Sequence, residues 1–275
     1  MRRPFERLPS VSATIQVDPS ASVAPIQDAL SRLFDDQPVS VTTAEKGVAT
    51  VVDNAEPVDS AAAELVDPDD EVAVVRDGAV AATASADALM ESLLLINSDV
   101  YITGSRGLTE AALPPILQAL HDLPFRLHGF PDSDTEKLLL IAVSRAIERR
   151  AYEAGAGTLR VGFQRLSRLV DEPGTRRVYE QLATTDVAVH AYGVGDTELP
   201  ESLSVTAHTG RTDFHRRGWF VVFQPPADSE VTPVALYAIA VGDNQWDGFW
   251  TYSAERVDDI AAVVTDLMMT PSEPQ

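Results

Sequence analysis

Between residues 145 and 177 the chain carries eight arginines: Arg145, Arg149, Arg150, Arg160, Arg165, Arg168, Arg176 and Arg177. Four acids oppose them there, Glu148, Glu153, Asp171 and Glu172, in a chain whose formal net charge is −21. A guanidinium presents a planar fork of donors that matches a carboxylate or a phosphate, so a basic window in an acidic chain points to an anionic ligand. Arg160, Gln164, Arg165 and Arg168 lie on and just after an expected strand, a common ligand position. The alternative is that these arginines pair with the acidic surface or with Asp171 and Glu172. Arg145 and Arg149 stand four residues apart on an expected helix and repel unless something anionic sits beside them.

Two aromatic groupings could complete such a site. His190 and Tyr192 alternate onto one face of an expected strand and either line a pocket or form a satisfied, half-buried pair. The run Trp246-Asp247-Gly248-Phe249-Trp250-Thr251-Tyr252 places four aromatics in seven residues, where aromatics make 7% of the chain. Trp246, Trp250 and Tyr252 could stack on a flat ligand or anchor an interface. They could equally anchor a core, with Gly248 permitting close backbone approach.

Familiar catalytic patterns are missing. Gly104-Ser105-Arg106-Gly107 and Gly193-Val194-Gly195 are glycine turns without phosphate-loop or dinucleotide spacing. No Gly-x-Ser-x-Gly elbow occurs. His121, His128, His190, His208 and His215 never fall three or four apart, so no helical zinc motif exists. With no cysteine, thiolate nucleophiles and thiolate metal sites are excluded. The expectation is a protein that is not an enzyme, with no metal and an unknown cofactor. An enzyme acting on an anionic metabolite has no motif behind it.

The composition sets the setting. Hydrophobic residues at 45% and charged residues at 23% are an ordinary globular balance over 275 residues. The basic residues comprise only two lysines, Lys46 and Lys137, so arginine supplies nearly all the positive charge. Acid excess with little lysine is what a cytosol at molar salt selects, since screening there removes the self-repulsion of such a surface. The expectation is a halophilic, archaeal protein; the alternative is an acidic mesophilic one from a GC-rich genome. The charge argues against nucleic acid as partner. No apolar run approaches the roughly 20 residues of a membrane span, and no signal peptide follows the basic start. A cytoplasmic location is expected, with no membrane partner.

The elements that must position these side chains read as α/β, a mixed β-sheet flanked by helices with a strand-rich C-terminal part. Helices are expected over Pro25–Phe34, Ser85–Leu95, Glu110–Leu120, Asp134–Ala154, Thr175–Leu182 and Ala254–Met268. Ser133 and Glu136 make a capping box for the fourth of these, and Gly155 and Gly157 its stop. Strands are expected over Val39–Thr42, Thr158–Phe163, Val187–Tyr192, Leu203–Ala207, Trp219–Phe223 and Val234–Val241. Glu71–Ala84 reads as a hairpin turned by Asp77-Gly78. The acidic stretch 53–71, without one base, reads as solvated surface. The expected organisation is an N-terminal α/β lobe over 1–124, a second unit over 125–269 and a disordered tail at 270–275.

The run Leu138–Tyr152 followed by Ala154-Gly155-Ala156-Gly157-Thr158-Leu159-Arg160-Val161-Gly162-Phe163-Gln164-Arg165-Leu166-Ser167-Arg168-Leu169 resembles the DICT sensory domain family. So do Tyr179–Gly193, Trp219–Phe223 and Asn244–Tyr252, in the same order, which puts the resemblance over about residues 125–252 with a weaker N-terminal extension as in haloarchaeal members. The resemblance implies a signal-input module and carries over no catalytic residues. Unlike fused members, nothing but a helix and a tail follows Tyr252, so a stand-alone sensor would signal through a downstream protein or through self-association. The expected function is binding of a small, anionic or flat ligand by Arg160, Gln164, Arg165, Arg168, His190, Tyr192, Trp246, Trp250 and Tyr252. The alternative is a protein–protein adaptor that uses the aromatic run as an exposed patch and binds no small ligand.

Overall fold

The computed structural model describes residues 3–9, 12–19, 27, 28, 30, 31, 34, 37–54, 67, 69–89, 108, 113–128 and 137–269. The elements in chain order are α1 (Arg3–Glu6), β1 (Ala13–Val17), β2 (Val39–Thr43), α2 (Val48–Asn54), β3 (Val72–Arg76), β4 (Ala79–Ala84), α3 (Pro115–Gln118), β5 (Phe125–His128), α4 (Lys137–Ala154), β6 (Ala156–Arg165), α5 (Arg168–Asp171), α6 (Pro173–Leu182), β7 (Asp186–Val194), β8 (Val205–Thr209), α7 (Asp213–Arg217), β9 (Gly218–Gln224), β10 (Val234–Gly242), β11 (Gln245–Thr251) and α8 (Ala254–Met269).

The class is α/β as expected, but the strands form two mixed sheets where one was anticipated. A four-stranded sheet has the order β2-β1-β3-β4, and a seven-stranded sheet the order β5-β11-β10-β9-β6-β7-β8. β1 and β2 run parallel, while β1–β3 and β3–β4 are antiparallel. Asp77 and Gly78, both at positive φ (51° and 83°), turn the β3–β4 hairpin. In the larger sheet β6, β7 and β8 are parallel, and β9, β10, β11 and β5 continue it antiparallel. One apolar core runs through both sheets, from Ile15 and Val74 through Leu117 and Phe125 to Leu159 and Leu236. Arg76 of β3 adds a polar link by donating to the carbonyl of Ala119 at 2.9 Å.

Strand alternation sends the larger sheet's side chains to two faces. Leu159, Val161, Val189, Val221, Leu236, Trp246 and Trp250 pack on the face covered by α4 and α6. Tyr192, Phe220, Val222, Tyr237 and Phe249 pack on the other, against Val257, Ile260, Ala261 and Val264 of α8. Phe5 closes the second face at its α1 end, edge-on to Tyr237 and Phe249.

The basic helix supplies its own counter-ions. Arg145, 8% exposed, donates to Glu148 at 2.6 Å and to Thr175 at 2.7 Å. Arg149 pairs with Glu153 at 2.7 Å. The anion that this spacing demands is therefore internal. The proposed capping box at Ser133 and Glu136, most of 53–71 and the tail at 270–275 lie outside the described residues.

Candidate functional site

Register brings four of the larger sheet's polar side chains together on its α8 face. Arg160 of β6 lies opposite His190 of β7, and Tyr192 of β7 opposite His208 of β8. The phenol of Tyr192 stacks on the imidazole of His208 with ring centroids 4.4 Å apart and planes 13° from parallel. His190 Nδ1 and His208 Nε2 face each other at 3.0 Å. Gly162, between Arg160 and Gln164, leaves room for Phe220: a Cβ there would come within 2.5 Å of that ring.

Arg160 donates from Nη1 to Gln224 Oε1 at 2.6 Å, and its guanidinium also contacts the hydroxyl of Tyr192. Among the described residues no carboxylate lies within salt-bridge distance of it. The amide of Gln224 passes the contact on, donating to Asp258 Oδ1 of α8 at 2.6 Å. The Tyr192 hydroxyl also meets Thr265 of α8. Two polar tethers thus run from the cluster to the closing helix.

The electrostatics match an unneutralised cation. Burial, then His208 and Arg160, hold the His190 imidazole below its usual range. Burial and then Arg160 do the same to His208. Burial raises the Tyr192 phenol. The site therefore holds one guanidinium, two neutral imidazoles and a neutral phenol, a set of donors without a charged acceptor. Three potential metal ligands are nowhere grouped among the described residues.

The remaining sequence candidates are placed elsewhere. A bulge in β6 splits the arginine run: the register with β7 shifts between Gly162 and Arg165, and Gln164 takes a positive φ of 47°. Gln164 is buried and donates to the carbonyl of Gly218 at 2.8 Å, away from Arg160's partners. Arg165 is exposed, and Arg168 sits 4.0 Å from Glu172. Trp246 and Trp250 are 7% and 1% exposed in the core on the opposite face of the sheet. Trp246 meets Trp219 edge-on, and Trp250 packs on Phe125. The aromatic run therefore offers no exposed patch at its tryptophans, contrary to what the adaptor alternative requires. Tyr252 is half-buried beneath the Arg150 guanidinium, 5.3 Å from its ring centroid. It lines a cleft of about 150 Å³ with Gln118, Ile147, Arg149 and Val234. The cations there are engaged, since Arg149 holds Glu153 and Arg150 donates to the carbonyl of Thr232.

His208 and Gln224 were not singled out in sequence. The available signal was weak: both lie on strands, and only strand register shows that they meet Arg160.

Residues 115–236 match the DICT family model. Its description is a sensory domain in diguanylate cyclases and two-component systems. The matched DICT segment contains Arg160, His190, Tyr192, His208 and Gln224, while Asp258 and Thr265 of the closing helix lie beyond it. No curated protein matches the chain. A solved structure, the polyphosphate kinase from Porphyromonas gingivalis, is similar at 12% identity with a TM-score of 0.35. That similarity covers 58% of this chain and 25% of the kinase chain, so this chain spans about a quarter of the kinase's length. No described helix is long and apolar enough to cross a membrane.

Proposed function

We propose that this protein is a non-enzymatic signal-input protein that binds a small anionic ligand at Arg160, with His190, Tyr192 and His208 around it. The observation that carries the reading is the absence of a carboxylate from Arg160 in so acidic a chain. Four neighbours in the basic window, Arg145, Arg149, Arg168 and Arg176, each have a glutamate partner. A guanidinium left with neutral partners attracts an anion strongly, because no internal ion pair has to be broken first. The DICT match supports a sensory role for the segment that holds the site.

Occupancy is read by α8. An anion that engages Arg160 competes with Gln224 Oε1 for its Nη1–H, and Gln224 is the residue that holds Asp258. The ligand thus interacts differently with two positions of the closing helix, which is what a switch requires. A downstream signalling protein or a second copy of the chain would read that difference. Gln164, Arg165, Arg168 and the tryptophans serve the scaffold in this reading.

A thermal-shift screen of carboxylates, phosphomonoesters and cyclic dinucleotides in molar KCl tests the proposal. A ligand at a hundred times its dissociation constant adds about 2.7 kcal/mol of stability. The expected result is an anionic hit that raises the midpoint of the wild type and leaves Arg160→Ala unmoved. A hit unaffected by Arg160→Ala overturns the site.

A further inference from the structure

His190 and His208 contribute one nitrogen each to a single contact of 3.0 Å, and that geometry fixes how many protons the pair can carry. In the neutral pair one facing nitrogen donates its hydrogen to the lone pair of the other. The donor ring then has a free lone pair on its outer nitrogen. A proton from solvent can bind there without disturbing the contact, which becomes a charge-assisted hydrogen bond from imidazolium to imidazole. A second proton would set two N–H groups head to head, so the pair accepts one and no more.

Among the described residues the charged and titratable groups around the pair are few. β6 contributes Arg160, β7 contributes Tyr192, and α8 contributes Asp258, which is held by Gln224 of β9. No carboxylate contributes to the field at either imidazole, whereas Arg160 acts on both. An anion seated on Arg160 cancels the charge that opposes protonation, and a doubly charged one leaves a negative charge for the new imidazolium to meet.

Building on the Arg160 reading, we infer that the site takes an oxyanion carrying two negative charges, such as the phosphoryl group of a phosphomonoester, and that the His190–His208 pair binds one solvent proton as the anion enters. Charge is then balanced: guanidinium and imidazolium against the dianion. The sensor reports anion concentration and acidity together.

Sulfate is the probe, because it remains a dianion from pH 5.5 to pH 8 while the histidines titrate. Its binding is followed by isothermal titration at constant ionic strength, in two buffers of different ionisation heat at each pH. The expected result is affinity that strengthens toward acid, with a limiting slope of about tenfold per pH unit for one proton. The heat difference between buffers should approach uptake of one proton, and Arg160→Ala should abolish binding. His190→Gln/His208→Gln, whose amides keep hydrogen-bonding capacity but cannot titrate, should bind with a flat pH profile. Sulfate affinity independent of pH in the wild type, still abolished by Arg160→Ala, overturns the proton coupling and leaves the site standing. Uptake of two protons overturns the one-proton geometry. No sulfate binding at any pH, or binding indifferent to Arg160→Ala, overturns the Arg160 site as well.

Discussion

Arg160 Nη1 and Gln224 Oε1 are 2.6 Å apart, a charge-assisted hydrogen bond in which an amide stands where a carboxylate would be the usual partner. The same amide's nitrogen reaches Asp258 at 2.6 Å, so one side chain separates a cation on the sheet from an acid on the closing helix. A direct Arg–Asp pair would quench both charges. The inserted glutamine keeps the guanidinium available while still linking it to α8.

The opposite arrangement holds on the other face, where charge is buried and fully paired. Glu148, 2% exposed, accepts from Arg145 at 2.6 Å and from the Tyr179 hydroxyl at 2.7 Å. Burial and the adjacent Glu148 push the Tyr179 phenol well above its usual range. Glu148→Gln leaves the Arg145 guanidinium buried without its counter-ion, at an expected cost of about 3–5 kcal/mol. Replacing Arg145, Glu148 and Tyr179 together by Leu, Leu and Phe should cost less than Glu148→Gln alone. Denaturant unfolding in molar KCl measures both.

Stability without ligand should fall as the solution is acidified. His190, His208 and His215 are all held below the usual imidazole range, with burial the largest cause in each. The unfolded chain then protonates first, near its ordinary value of about 6.5. The fold therefore loses stability as pH drops through that value, until the folded-state values are passed. Thermal midpoints between pH 8 and pH 5 should decline, and His190→Gln/His208→Gln should decline less steeply. A midpoint that rises over this range contradicts the assignment.

Salt dependence tests the halophilic reading of the net charge of −21. At 1 M salt the Debye length is about 3 Å, so repulsion between surface acids is largely screened. Dialysis into dilute buffer should lower the midpoint sharply and reversibly, as followed by circular dichroism against KCl concentration. Full stability in dilute buffer would favour an acidic mesophilic protein.

Much of the fold was legible because it follows from local pattern. Asp77-Gly78 specifies the hairpin, Gly155 at positive φ stops α4, and the alternation of β7 correctly puts His190 and Tyr192 on one face. What sequence could not show is which strand lies beside which. Without register, Arg160 cannot be set opposite His190, nor Tyr192 opposite His208, and Gln224 is one polar residue among many. β1, too short and mixed to stand out, pairs with both β2 and β3, so the smaller sheet was missed as a separate unit. The bulge at Gln164 has no sequence signature, since a glutamine seldom takes positive φ. It is this bulge that parts Arg160 from Arg165 and Arg168. The tryptophans pose the same difficulty in another form: an aromatic run reads alike whether it faces a ligand or fills a core, and only the sheet's two faces decide.

The most direct test of the central claim is amide hydrogen exchange of α8, residues 254–269, with and without saturating anion. The account predicts a change in exchange confined to α8 and the strands that carry Arg160, His190, His208 and Gln224, absent in Arg160→Ala. Gln224→Leu should bind the anion yet transmit little of it to the helix. An α8 whose exchange is indifferent to bound anion, or responds equally in Arg160→Ala, would contradict it.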